Sequence, residues 1–116
     1  MTSIAPLATL LSLSATHAVI RFAYDWRQPI ATLGAQLAAT LRRTLADNPD
    51  KPVRILAHSM GGLVVRAAFA QDKTLWSAIV ARDGGRLVML GTPNHGAHLF
   101  VDTLLGQSDT IRTLAR

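Results

Sequence analysis

Short apolar runs along the chain alternate with longer segments whose apolar residues recur every three or four positions. The runs 18–24, 53–57 and 86–90 are each bounded by turn-prone residues, which predicts three buried strands. After the first run, Pro29 is well placed in the first turn of a helix that the segment 47–52 ends. One face of that helix carries its apolar residues: Ile30, Leu33, Leu37, Leu41 and Leu45.

Further helices are predicted between and beyond the strands. The run from Gly61 is apolar on most sides, which is typical of a buried helix, and residues 97–116 and 7–13 also favour helices. Strands and helices therefore alternate, which predicts an α/β fold: a three-layer, mostly parallel sheet of about three strands with covering helices. The apolar strands fit a sheet that is covered on both faces. We expect one domain over residues 1–116.

Composition and charge exclude several kinds of function. The net charge is +5, but the cations are dispersed, and Arg42-Arg43 is the densest pair, so a solvated basic surface is favoured over nucleic-acid binding. Without cysteine the chain has no disulfide or thiolate metal site, and its four histidines lack the spacing of metal ligands. No glycine-rich phosphate loop occurs. We expect neither a metal nor a cofactor.

The apolar runs also bear on location. None approaches the roughly 20 residues that a bilayer-spanning helix needs, so no transmembrane segment is expected. The N-terminal stretch lacks the basic region of a signal peptide. The compartment stays undecided, with the cytoplasm as the default.

Ser59 lies between the second predicted strand and the helix that follows it. A serine hydroxyl becomes a nucleophile when a base takes its proton and a preorganised donor stabilises the oxyanion. A sharp strand-to-helix turn presents such a serine and aims the next backbone N–H, here that of Met60, at the oxyanion. The residues two before and two after the serine must be small, which Ala57 and Gly61 are, and His58 and Gly62 are the supporting residues of the same turn. The alternative is a serine that only caps a buried helix.

Three motifs together resemble one group of serine lipases. "AHSMGG", "YDWR" and "LGTPNHG" have the order and spacing found in the α/β-hydrolase group of lecithin–cholesterol acyltransferases and GPI-inositol deacylases, over residues 18 to about 100. The resemblance implies a lipid or small-molecule ester substrate, Ser59 as nucleophile and the Met60 N–H as oxyanion donor. It leaves ester hydrolysis, acyl transfer and lipid-anchor deacylation open. A noncatalytic α/β interaction module is the alternative from another class.

Further residues are expected to line the pocket near Ser59: Tyr24, Asp25, Trp26, Thr92, Pro93, Asn94 and His95. Asp25 is favoured as an anchor of its own loop rather than as the acid of the triad. His95 is favoured as a lining residue rather than as the base. His17 is expected at the opposite end of its strand, and His98, Asp102 and Asp109 are expected in the last helix.

The resemblance also predicts what this chain does not encode. It implies that the acid and histidine of the triad follow Arg116, and that one strand normally lies between the first two strands seen here. We therefore expect the central fragment of a serine hydrolase with negligible activity on its own. Unpaired strand edges would allow self-association.

Overall fold

The computed structural model describes residues 16–96. Three helices and two strands follow one another in the order α1 (Ile30–Asp47), β1 (Arg54–His58), α2 (Met60–Gln71), α3 (Leu75–Val80) and β2 (Arg86–Leu90). The helices expected over 7–13 and 97–116, with His98, Asp102 and Asp109, lie outside the described residues. None of the helices in residues 16–96 is long and apolar enough to cross a bilayer.

The sheet consists of β1 and β2, which run parallel. Their register runs from Arg54 opposite Arg86 to His58 opposite Leu90. The strand predicted over 86–90 is confirmed, and the one predicted over 53–57 forms one residue later. Because a helix crosses between two parallel strands, the α/β class is confirmed.

The strand predicted over 18–24 does not form, so residues 16–96 contain two strands rather than about three. The segment nevertheless lies along β1. His17 Nε2 is 2.6 Å from Arg54 Nη1 at one end, and Phe22 and Tyr24 pack against the core. A strand needs a backbone partner about 4.8 Å away, and among the described residues β1 pairs with β2 alone. None of residues 18–24 is fully buried, and Ile20 is 57% exposed, so the prediction of a buried strand there is wrong for burial as well as for pairing.

Helix α1 forms as its apolar period predicts. Leu33, Leu37, Leu41 and Leu45 are buried, whereas Ile30 in the first turn is 37% exposed. The helix packs closely against α2, because a Cβ added at Gly34 would lie 2.7 Å from Ala67 Cβ. Glycine at this position lets the two backbones approach.

All three helices pack on one face of the sheet. Ala57 and the half-buried Ile55 and Leu87 face the core. On the other face Leu56 and Val88 are 41% and 47% exposed. Residues 16–96 thus contain two of the three predicted layers, the sheet and one layer of helices.

Helix α3 was not predicted. Its six residues are too few to show a helical period, yet Leu75 and Ile79 are fully buried. Just after it, the Arg82 guanidinium donates hydrogen bonds to the carbonyls of Leu45, Asn48 and Lys51, at 2.8, 2.7 and 2.9 Å. The bond to Leu45 satisfies a carbonyl of the last turn of α1 that has no helical partner, and the other two bonds fix the loop that follows the helix.

A second arginine, Arg42 in the second half of α1, joins this helix to the residue that ends α2. Arg42 donates from Nε to Asp72 Oδ2 at 2.7 Å and from Nη2 to Asp72 Oδ1 at 2.6 Å. The Arg42 hydrogen bond holds the pKa of the Asp72 carboxyl below its usual value. Arg42, expected to be solvated, is half-buried in this ion pair.

Candidate active site at the β1–α2 turn

Ser59 connects β1 to α2 in a backbone conformation that side chains rarely adopt, with φ 53° and ψ −123°. Its N–H donates to the carbonyl of Leu90 at 2.8 Å, and its own carbonyl accepts from the N–H of Gly62 at 3.1 Å. The side chain makes no capping hydrogen bond to α2. Two backbone bonds thus hold an exposed serine in a strained conformation, which is where nucleophiles of this turn type are found.

Gly61 and Gly62 differ in the space available for a side chain. A Cβ added at Gly61 would lie 3.9 Å from Ala57 Cβ and 3.5 Å from the Tyr24 hydroxyl, both ordinary contact distances. One added at Gly62 would lie 2.8 Å from Thr92 Cβ, which real Cβ atoms do not tolerate. Gly62 is therefore the position where space is lacking, a distinction that the sequence pattern does not make.

Met60 is the first residue of α2, so its N–H points along the helix axis. The first N–H groups of a helix have no partner within it, and the Met60 N–H makes no hydrogen bond to a backbone carbonyl of residues 16–96. The dipole of the 12-residue helix favours negative charge at this end. An oxyanion beside Ser59 could accept a hydrogen bond from this group.

The loop after β2 lies across the first turns of α2. Thr92 packs on Gly62 with its hydroxyl buried and without a partner among the described residues. Asn94 Oδ1 accepts a hydrogen bond from Arg66 Nη1 at 3.1 Å, and the N–H of Gly96 donates to the Pro93 carbonyl at 3.1 Å. The sequence offered no signal for the bond between Arg66 and Asn94, because it depends on how loop and helix pack.

The "YDWR" segment forms a turn that is held by its own charges. Asp25 Oδ1 accepts from the backbone N–H of Arg27 at 3.1 Å and from its Nε at 2.9 Å. The Arg27 side chain holds the pKa of the Asp25 carboxyl below its usual value. The prediction that Asp25 anchors its own loop is confirmed. Burial raises the pKa of Tyr24, whereas Trp26 is 65% exposed.

The structure brings some of the predicted residues together and not others. Tyr24 and Thr92 lie against the first turn of α2 beside Ser59. No histidine or aspartate of residues 16–96 hydrogen bonds to the Ser59 hydroxyl; His58 and His95 are both exposed. His17 lies beside Arg54 at the opposite end of β1, as expected. Residues 16–96 contain no cluster of three side chains suited to a metal ion.

The turn thus exposes Ser59 at the start of α2, next to the N–H of Met60, which has no partner within the helix. A family model described as lecithin:cholesterol acyltransferase matches residues 12–114 of the chain. No curated protein and no solved structure matches it.

Proposed function

The chain belongs to the lecithin:cholesterol acyltransferase family, and on this premise we propose that it performs acyl-ester chemistry on lipids with Ser59 as the nucleophile. The observation that carries the proposal is the strained backbone of Ser59, φ 53° and ψ −123°, between a parallel strand and a helix. A structural serine at a helix start has no need of that conformation. Strain of this kind persists where the surrounding structure enforces it, commonly at functional sites.

In the proposed reaction the Ser59 oxygen attacks the carbonyl carbon of an ester. The carbonyl electron pair moves onto its oxygen, which accepts a hydrogen bond from the Met60 N–H at the positive end of α2. Collapse expels the alcohol with a proton and leaves an acyl-serine. Water or a second alcohol then takes the acyl group, which gives hydrolysis or acyl transfer. The family favours transfer, since its description names an acyltransferase.

The proton from Ser59 needs a base. Because no histidine of residues 16–96 reaches the hydroxyl, we expect slow turnover from the 116-residue chain alone. Loss of the base in a serine triad lowers turnover by on the order of a million-fold. Rapid ester hydrolysis by this chain that Ser59→Ala abolishes would contradict this expectation.

The nucleophile can be tested by supplying a base from solution, because no histidine of residues 16–96 reaches the Ser59 hydroxyl. The chain is incubated with a fluorophosphonate, with and without imidazole, and the modified residue is mapped by mass spectrometry. We expect imidazole-dependent labelling of Ser59, absent in Ser59→Ala and unchanged in the matched control Ser77→Ala, which alters an exposed serine on α3. Labelling of Ser59 no faster than that of Ser77 would refute the proposal.

An alternative function rests on the open edge of β1. Among the described residues β1 pairs on one side only, and a free edge can accept a strand of a second copy. Concentration-dependent assembly without labelling of Ser59 would favour this noncatalytic interaction module over the enzyme.

A further inference from the structure

The Tyr24 hydroxyl lies against the first turn of α2. It would be 3.5 Å from a Cβ placed on Gly61, two residues after Ser59. No hydrogen bond joins this hydroxyl to another group of residues 16–96, and its oxygen is not one of their buried unpaired atoms. The hydroxyl is therefore open to a ligand that approaches the start of α2.

The tyrosine ring is held in place by packing. Its centroid lies 6.0 Å from that of Phe22, and both side chains pack against the core. The turn that follows is closed by the Gln28 N–H, which donates to the Asp25 carbonyl at 3.0 Å, and by the bonds from Arg27 to the Asp25 carboxylate. The hydroxyl is thus positioned before any ligand arrives, as a preorganised donor must be.

A tyrosine hydroxyl is a suitable donor to an oxyanion. Burial raises the pKa of Tyr24 above its usual value of about 10, so the hydroxyl keeps its proton at neutral pH. An oxyanion beside Ser59 has several lone pairs, whereas the N–H of Met60 supplies a single hydrogen bond. A second donor at the same helix turn would therefore find an acceptor there.

We propose that the Tyr24 hydroxyl is the second donor to the oxyanion that forms at Ser59, and hence a catalytic residue; this inference rests on the proposed function. When the carbonyl electron pair moves onto its oxygen, that oxygen accepts hydrogen bonds from the Met60 N–H and the Tyr24 O–H. The Tyr24 O–H bond does not break, and its hydrogen bond weakens when the electron pair returns and the alcohol leaves. The hydroxyl therefore stabilises the transition state more than the bound ester.

Tyr24→Phe tests this donor, because it removes one oxygen and keeps the ring. Imidazole-dependent labelling of Ser59 is measured over a range of fluorophosphonate concentrations, which separates the maximal rate from the half-saturating concentration. We expect the maximal rate to fall by about 100-fold, the lower limit of the loss for one oxyanion donor, with little change in the half-saturating concentration. The matched control Thr40→Val removes a hydroxyl that donates to the Gln36 carbonyl within α1, and it should change neither quantity.

A second measurement uses the unaltered protein, because Tyr24 is the only tyrosine of the chain. The near-ultraviolet absorbance of its phenolate is titrated before and after Ser59 is modified by a fluorophosphonate with short alkyl groups. A phosphonyl oxygen that accepts the Tyr24 O–H stabilises the protonated form and so raises the pKa of Tyr24. We expect the titration midpoint to rise by about one pH unit, which corresponds to one hydrogen bond. A hydroxyl that only contributes to packing would keep its midpoint.

Three results would overturn the inference. They are equal maximal rates for wild type and Tyr24→Phe, a Tyr24 midpoint that modification of Ser59 does not move, and an equal slowing in Thr40→Val. If wild type is not labelled at Ser59, the proposed function itself fails. Labelling of Ser59 that Tyr24→Phe does not slow removes the second donor and leaves the nucleophile, so the two failures are distinguishable.

Discussion

Replacement of Ser59 by glycine should stabilise the protein, although it removes the proposed nucleophile. At φ 53° and ψ −123°, a side chain costs about 1–3 kcal/mol that glycine does not. Glycine also gains freedom in the unfolded chain, which offsets about 0.4–1 kcal/mol. Ser59 is exposed and its side chain makes no capping bond, so little contact is lost. The expected net gain in the free energy of unfolding is about 1 kcal/mol.

Urea denaturation followed by circular dichroism measures this gain. For a small domain, about 1 kcal/mol raises the denaturation midpoint by roughly 0.3–1 M. Two controls separate strain relief from other effects. Ser77→Gly lies in helix α3 at an exposed position, where glycine should cost about 0.5 kcal/mol. Ser59→Ala retains the Cβ and should remain close to wild type. A midpoint of Ser59→Gly at or below that of Ser59→Ala would refute the reasoning.

Two further variants probe the contacts around the turn. Gly62→Ala should lower the free energy of unfolding by about 1–3 kcal/mol, because the new Cβ would lie 2.8 Å from Thr92 Cβ. Gly61→Ala should be close to neutral, because its new Cβ would have a nearest contact of 3.5 Å. Thermal denaturation measures both variants, and equal losses of stability would contradict this reasoning. Because Arg42 lowers the pKa of Asp72, the stabilisation from this carboxylate is present above pH of about 4 and is lost as pH falls through the lowered pKa. Urea titrations from neutral to acid pH should therefore show a steeper loss for wild type than for Asp72→Asn, and parallel curves would count against it.

The parts of the fold that depend on local patterns could be predicted from the sequence. The buried leucines of α1 share a face because they recur with the helical period, and β2 forms over the predicted 86–90. Residues 18–24 have the same apolar character, but pairing depends on which backbone lies alongside. That is a property of the assembled sheet, so the pattern could not show it.

The candidate site also has parts that the sequence predicts and parts that it does not. The motif placed Ser59 between a strand and a helix because small residues flank it in order. The close approach of Thr92 to Gly62, which leaves no room for a Cβ, involves residues thirty positions apart. A local sequence pattern cannot predict such a contact. The 65% exposure of Trp26 could not be predicted from the sequence either, since an apolar residue in a turn could equally line a pocket.

The guanidinium of Arg82 donates hydrogen bonds at the end of α1, although Arg82 is synthesised long after that helix. Its three acceptor carbonyls lie 31 to 37 positions earlier in the chain. During synthesis from the N-terminus, the Leu45 carbonyl in the last turn of α1 and the two loop carbonyls after it therefore lack this donor until α3 has been made. We therefore expect α1 to fold cooperatively with the segment through α3, after that segment has been synthesised, and not as an independent helix before it.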